Sequence, residues 1–132
     1  MLNTDKFRVA FVDEDDFYGS IIKERLGQDG SIEVQHYNTG LALIDSLHEE
    51  PDMVVVDHSI PDVSLRGLFD LIKLYNSKVS LVVLSREMNI SDSIDEHLNL
   101  ASRKITKDEN AVQKLTRLIQ IHLLSFQDFI RV

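Results

Sequence analysis

The chain has 132 residues, of which 43% are hydrophobic and 27% are charged, as expected of one globular domain with its own core. A formal net charge of −8 argues against nucleic-acid binding by this chain, because phosphate contacts need clustered Lys and Arg. The absence of cysteine excludes disulfides and thiolate metal sites. The first apolar run, Phe7–Val12, is too short for a signal peptide or a membrane span, so we expect a cytoplasmic protein without membrane contact.

Apolar runs alternate with helical patterns along the chain, which predicts a parallel sheet covered by helices. The runs begin near residues 7, 32, 53, 79 and about 100. Those at 7–12, 53–56 and 81–84 are nearly continuous, as expected of strands buried on both faces. The run at 32–36 alternates and the last is weak and polar, which suits two edge strands. The predicted strand order is therefore 2-1-3-4-5, in a doubly wound α/β sandwich of three layers.

Helices are predicted between the strands, with a shortened one in residues 86–100, and after the last strand. Apolar residues spaced four apart indicate a first helix over residues 17–26, and a second is marked over 41–47. The third is the clearest, because Leu68, Leu71, Ile72 and Tyr75 fall on one helical stripe. The last is expected to begin near Asp108 and to continue to residue 130, about 35 Å in all. That length exceeds what a small sheet can cover.

The three central strands each end on reactive polar residues. Predicted strand 1 ends at Asp13 and Glu14, strand 3 ends at Asp57, and strand 4 ends at Ser85. Lys104 follows later in the chain. Because the carboxyl ends of parallel strands line one crevice, these side chains are expected to meet there. Together they suit a metal ion and a phosphoryl group, and the carboxylate of Asp57 is the candidate acceptor in an acyl phosphate.

Each of these residues also has a simpler interpretation. Asp57 and Ser85 are residue types that cap loops and helices. Asp13 and Glu14 match a solvated acidic run before a helix, where negative charge is favoured. Lys104 taken alone is a surface charge. The joint placement at strand ends favours the shared site, and a hard cation such as Mg²⁺ would relieve the repulsion among its carboxylates.

Two segments of the chain resemble motifs of the receiver domain of bacterial two-component response regulators. Residues 11–15, Phe-Val-Asp-Glu-Asp, resemble the acidic signature of that family, and residues 51–62 closely resemble its phosphoacceptor motif. The likeness covers about residues 7–124. It implies the CheY-like, flavodoxin-like fold, which has the same strand order 2-1-3-4-5.

The resemblance also assigns roles to the site residues. It implies that Asp57 is phosphorylated, and that Ser85 and Lys104 bind the phosphoryl group. Magnesium or manganese would be the cofactor. Its implied ligands are the carboxylates of Asp13, Glu14 and Asp57 and the backbone carbonyl of Ser59.

The resemblance further implies a regulatory domain rather than an enzyme, one that catalyses at most its own phosphorylation and dephosphorylation. The phosphoryl donor would be a sensor histidine kinase or a histidine phosphotransfer protein, and the signal would pass to a downstream output protein or domain. We expect residues 1–125 to form the receiver domain. Residues 126–132 would extend the last helix, as an end that packs on its own domain, a homodimer seam or the start of a linker.

The sequence also departs from the family pattern. Glu14 stands where the family usually has Asp, Arg86 follows Ser85 in place of a small residue, and Ile105 follows Lys104 in place of a cis proline. Ala101 takes the place of an aromatic switch residue. These differences leave open a pseudo-receiver that signals by phosphorylation-independent protein binding.

A phosphohydrolase of the aspartyl-phosphate type is a third interpretation. Such enzymes need an acid/base carboxylate two residues after the nucleophile, and this chain has Ser59 there and no cap domain.

Overall fold

The computed structural model describes residues 6–86 and 103–131, with side chains described as far as residue 124. Five strands form one parallel sheet in the order β2-β1-β3-β4-β5, which confirms the predicted α/β fold. The strands are β1 (Phe7–Val12), β2 (Ile32–Tyr37), β3 (Met53–Asp57), β4 (Ser80–Ser85) and β5 (Arg103–Thr106). The part of the predicted fifth strand before residue 103, and Ala101 with it, lies outside the described residues.

Four helices connect or follow the strands within the described ranges. They are α1 (Asp16–Leu26), α2 (Gly40–Asp45), α3 (Leu65–Tyr75) and α4 (Ala111–Arg131), and a short 3₁₀ turn (Leu47–Glu49) follows α2. Side chains cap the first three: Asp15 accepts a hydrogen bond from the amide of Tyr18, Thr39 from that of Ala42, and Ser64 from that of Gly67. These caps satisfy amides that have no partner within their own helix.

The sheet separates two hydrophobic clusters, one on each face. Strand residues such as Val9 and Phe11 pack on one face with residues of α1 and α4. Their neighbours Ala10 and Val12 pack on the other face with residues of α2 and α3. Burial on both faces is why the central strands are nearly continuous apolar runs instead of alternating ones.

The C-terminal helix begins three residues later than expected. Asp108 accepts hydrogen bonds from the backbone of Asn110 and Ala111, so residues 108–110 form a turn before α4. The helix then runs for 21 residues, about 31 Å, through the predicted domain boundary at residues 125–126 without a break. The position of that boundary stays a prediction. No helix in the described part of the chain is long and apolar enough to cross a membrane.

Helix α3 buries only part of the predicted stripe, together with a residue outside it. Leu68, Phe69 and Ile72 are buried, whereas Leu71 is 37% exposed and Tyr75 is 52% exposed. The periodicity located the helix correctly and identified Leu68 and Ile72 as core residues, but it missed the buried Phe69 and wrongly included Leu71 and Tyr75.

Helix α3 offers a matched pair of leucines for a stability test. Leu68 is 1% exposed and Leu74 is 84% exposed. Leu68→Ala should lower the free energy of unfolding by about 2–5 kcal/mol, because it leaves a cavity between α3 and the sheet. Leu74→Ala should change it by less than about 0.5 kcal/mol. Urea denaturation measures both, and equal losses would contradict this packing of α3.

Candidate functional site

Two buried carboxylates meet at the carboxyl edge of the sheet because β1 and β3 are neighbours. Asp13 directly follows β1 and is 1% exposed, and Asp57 ends β3 and is 5% exposed. Ser85 ends the adjacent strand β4 and is also buried. The structure thus places these three residues at the edge where the sequence predicted them.

The ammonium group of Lys107 bridges the two carboxylates. Its Nζ donates hydrogen bonds to Asp13 Oδ2 at 2.6 Å and to Asp57 Oδ1 at 3.1 Å. The Lys107 side chain is only 5% exposed, so this is a buried ion triad rather than a surface pair. Burial lowers the pKa of Lys107, but the two hydrogen bonds and the carboxylate charges outweigh it and leave the pKa above its ordinary value. Among the described residues, one ammonium group balances two carboxylates, which leaves one negative charge.

This arrangement corrects the predicted lysine. Lys104 lies inside β5 opposite Val83, and its side chain is exposed. The strand continues to Thr106, and Lys107 is the first residue beyond it, with its amide donating to the carbonyl of Ser85 at 2.7 Å. Lys104 was expected to reach the crevice, but the strand continues past it to Thr106, so Lys107, three residues later, reaches the crevice instead.

The corrected lysine also changes which positions depart from the family pattern. The residue three before the lysine becomes Lys104 instead of Ala101, and the residue after it becomes Asp108 instead of Ile105. A non-aromatic residue and a non-proline therefore still stand at those two places, but they are different residues from the ones predicted.

Ser59 contacts the second oxygen of the Asp57 carboxylate. Its backbone amide and its hydroxyl both donate to Oδ2, at 3.2 and 2.6 Å. Burial raises the pKa of Asp57, but the hydrogen bonds from Ser59 and Lys107 more than offset it, so the pKa lies below its ordinary value. The predicted role of the Ser59 carbonyl as a metal ligand stays a prediction; its hydroxyl was not predicted to take part.

The backbone of Asp13 is fixed from the neighbouring edge strand. Its carbonyl contacts Nε2 of His36 at 2.8 Å, which assigns the proton of that ring to Nε2, and its amide donates to the carbonyl of Tyr37 at 3.0 Å. The His36 ring lies against Gly19 of α1, where a Cβ would come within 2.4 Å of two ring atoms. Glycine at position 19 therefore makes room for the imidazole that holds Asp13.

The predicted metal ligands are only partly brought together. Asp13 and Asp57 fit a hard cation, because their carboxylates already share the positive charge of Lys107. The side chain of Glu14 is exposed, and within residues 6–86 and 103–124 no three acidic or histidine side chains form a group that could hold a metal ion. Metal binding by Asp13 and Asp57 stays a prediction.

An aromatic side chain completes the surroundings of Lys107. The Nζ atom lies 4.4 Å from the centroid of the Tyr18 ring. The hydroxyl of Tyr18 is buried and has no hydrogen-bond partner in the described structure, and its burial raises the pKa of this phenol. Tyr18 and His36 were not predicted, since their roles depend on which side chains meet across α1, β2 and the strand ends.

The contact between Gly19 and His36 gives a stability prediction. Gly19→Ala should lower the free energy of unfolding by about 1–3 kcal/mol, because the added methyl group pushes against the imidazole and this exceeds the helix-propensity gain of about 1 kcal/mol. Gly30→Ala is the control, since a Cβ at position 30 meets nothing within 4 Å and neither glycine has positive φ. Thermal denaturation compares them, and a Gly19→Ala variant as stable as the parent would contradict the packing.

The ion triad predicts a pH-dependent effect of Lys107→Met. At pH 7 the variant should lose roughly 3–5 kcal/mol of stability, because two buried carboxylates are left without a cation. The pKa of Asp57 is lowered in the folded parent. The ionised carboxylate therefore contributes to the free energy of unfolding above its ordinary pKa, and this contribution is lost as pH falls through the pKa of the folded state. The difference between parent and variant should therefore shrink below about pH 4.

Urea denaturation at several pH values measures this difference. Lys104→Met is the matched control, because that lysine is exposed, and it should behave like the parent throughout. A deficit for Lys107→Met that stays constant down to about pH 3 would argue against the triad as its cause.

Comparison with solved structures identifies receiver domains with the same fold. A CheY-like response regulator receiver domain protein from Methanospirillum hungatei is 22% identical with a TM-score of 0.77, over 93% of this chain and 98% of that one. The non-phosphorylated HemR receiver domain from Leptospira biflexa is 25% identical with a TM-score of 0.74, over 88% and 94%. The phosphorylated cyanobacterial phytochrome response regulator RcpA is 24% identical with a TM-score of 0.71, over 91% and 95%.

No protein-family model matches the chain, and no curated protein matches it by sequence. The structural matches span nearly the whole of both chains in each of the three cases. The chain therefore has the fold of response-regulator receiver domains, in agreement with the resemblance of its motifs.

Proposed function

We propose that this chain is a receiver domain in which Asp57 accepts a phosphoryl group. The observation that carries the proposal is the bridge from Lys107 to Asp13 and Asp57, at the carboxyl edge of a sheet with the receiver topology. Buried charged groups held this close are unusual outside functional sites, because each charge costs several kcal/mol to remove from water.

The electrostatics keep Asp57 in the ionised form that a nucleophile needs. Its lowered pKa keeps the carboxylate ionised at neutral pH. One carboxylate oxygen would attack phosphorus while the bond from phosphorus to a donor histidine nitrogen breaks, and the released electron pair stays on the imidazole, which takes up a proton. Lys107 and Ser59 already donate to this carboxylate, so their donors are near the place where charge develops.

Asp13 and Asp57 would hold Mg²⁺ or Mn²⁺, and the family resemblance adds the Ser59 carbonyl and Glu14 as further ligands. The ion would supply charge neutralisation for the incoming phosphoryl oxygens. The negative charge left by the triad favours such a cation. Since Lys107 uses the same two carboxylates, it has to share them with the ion.

The proposed partners follow from the family. A sensor histidine kinase or histidine phosphotransfer protein would donate the phosphoryl group, in the cytoplasm, and a downstream protein or domain would recognise the modified state. The solved structure of phosphorylated RcpA is an example of a domain of this fold that carries the modification. A homodimer through α4 is a further candidate contact.

One observation favours the alternative of a pseudo-receiver. Both oxygens of the Asp57 carboxylate are engaged, Oδ1 by Lys107 and Oδ2 by Ser59, and the exposed side chain of Glu14 stands apart from the pair. A closed network of this kind also suits a domain that keeps its shape and binds a partner without phosphorylation. The two functions differ in whether Asp57 can be modified.

Incubation with acetyl phosphate and Mg²⁺, followed by intact mass measurement, tests the proposal. The parent protein should gain one phosphoryl group, and Asp57→Asn should gain none. Lys107→Met should be phosphorylated at least about tenfold more slowly, because a missing charge-assisted contact costs roughly 1.5–3 kcal/mol. Lys104→Met should match the parent.

Omission of Mg²⁺ should abolish the gain in mass. A parent protein that stays unmodified with acetyl phosphate and with a phosphorylated histidine phosphotransfer domain would favour the pseudo-receiver. Equal rates for the Lys104 and Lys107 variants would show that the bridging lysine has no part in the reaction.

A further inference from the structure

We propose that Tyr18 is a positioning residue for the site, and that the face of its ring holds the Lys107 ammonium against the two carboxylates. The Nζ atom lies 4.4 Å from the ring centroid, within the range in which a cation is attracted to an aromatic face. The attraction is stronger here than on a surface, because the Lys107 side chain is 5% exposed and little water competes.

The hydrogen-bond count of Lys107 supports this role for the ring. An ammonium group has three N–H donors. Asp13 and Asp57 accept two of them, and Nζ forms no further hydrogen bond in the described structure. The Tyr18 ring is the neighbour that stabilises the remaining side of the cation. An aromatic face does this without adding a third negative charge to the site.

The Tyr18 ring is itself held in place from several sides. Its backbone amide donates to the Asp15 carboxylate at the start of α1, and the Asp15 amide donates to Asp13 Oδ1. The ring lies 6.0 Å from that of Phe11, which in turn lies 5.9 Å from that of His36. The residues that fix Asp13 thus also fix the ring under Lys107.

The consequence for chemistry rests on the proposed function. A lysine held only by two carboxylates would be free to leave when one of them is modified or binds a cation. Contact with the ring does not depend on either carboxylate, so it can retain Lys107 beside Asp57 during phosphoryl transfer. Loss of the ring should therefore slow phosphorylation by acetyl phosphate by about threefold to tenfold.

Covalent labelling of lysine amines tests the positioning without requiring phosphorylation. The parent protein is treated with acetic anhydride, and the modification of Lys107 and Lys104 is followed by peptide mass spectrometry. Lys104 is exposed and serves as the internal reference. In Tyr18→Leu the Lys107 labelling rate should rise at least about threefold relative to Lys104. Tyr18→Phe should resemble the parent, since it keeps the ring and removes only the unpartnered hydroxyl.

Phe17→Leu is the matched control, because Phe17 is the neighbouring aromatic residue and is 76% exposed. Its labelling ratio and its phosphorylation rate should equal those of the parent. Tyr18→Met repeats the test with a flexible side chain if Tyr18→Leu does not fold. Should neither fold, Tyr18 is a core residue and the positioning role is rejected.

The outcomes separate the two proposals. A Lys107 that stays protected in folded Tyr18→Leu or Tyr18→Met overturns the role of the ring, whatever the phosphorylation rate. Equal effects of Tyr18→Phe and Tyr18→Leu would assign the effect to the hydroxyl and also overturn it. Increased labelling in a protein whose parent cannot be phosphorylated would leave the positioning intact and reject only the phosphoacceptor function.

Discussion

The site depends on one constraint: a single ammonium group has to balance two carboxylates that the sheet buries side by side. Parallel pairing of β1 and β3 brings Asp13 and Asp57 to the same edge, so their repulsion follows from the topology. Lys107 relieves it from the end of β5, which lies two strands away from β3. Removal of the cation would leave two buried charges unpaired, which costs far more than an exposed ion pair contributes.

The backbone around the site is fixed so that this balance can be kept. Two sets of hydrogen bonds hold the loop after β3. Near its start, the Ser59 hydroxyl donates to Asp57. Further on, the carboxylate of Asp62 accepts hydrogen bonds from the amides of Gly40 and Leu41 at the start of α2. On the other side, His36 and the cap of α1 hold Asp13. Each functional carboxylate therefore has its own support: Asp57 from the loop after β3, and Asp13 from β2 and α1.

Sequence patterns were sufficient for the fold and for the two buried carboxylates. Buried strands read as continuous apolar runs, so their ends, and with them Asp13, Asp57 and Ser85, could be located. The fifth strand is polar with exposed side chains at Arg103 and Lys104, and its end could not be read in the same way. A weak edge strand carries little periodicity, so Lys104 was selected instead of Lys107, which lies three residues later and just beyond the strand.

Tertiary contacts explain the rest of what the sequence did not reveal. The imidazole of His36 reaches Asp13 from β2, and the ring of Tyr18 reaches Lys107 from α1, across 23 and 89 positions of the chain. No spacing rule connects such pairs, since each depends on two elements packing at a particular angle. The exposure of Leu71 and Tyr75 on α3 has the same origin, because neighbouring elements decide which part of an apolar stripe is covered.

The bonds that hold the site together also oppose chemistry at Asp57. The lowered pKa of Asp57 and the raised pKa of Lys107 keep both groups ionised, and this mutual stabilisation is lost only as pH falls below the ordinary range of Asp or rises above that of Lys. A carboxylate that accepts three hydrogen bonds is a weaker nucleophile than a free one, since its lone pairs are engaged. In the proposed phosphorylation, a donor that moves from Asp57 to the incoming group would make the attacking oxygen more nucleophilic. Because both Lys107 and Ser59 are donors, each can stabilise the phosphoryl oxygens once it has released the carboxylate.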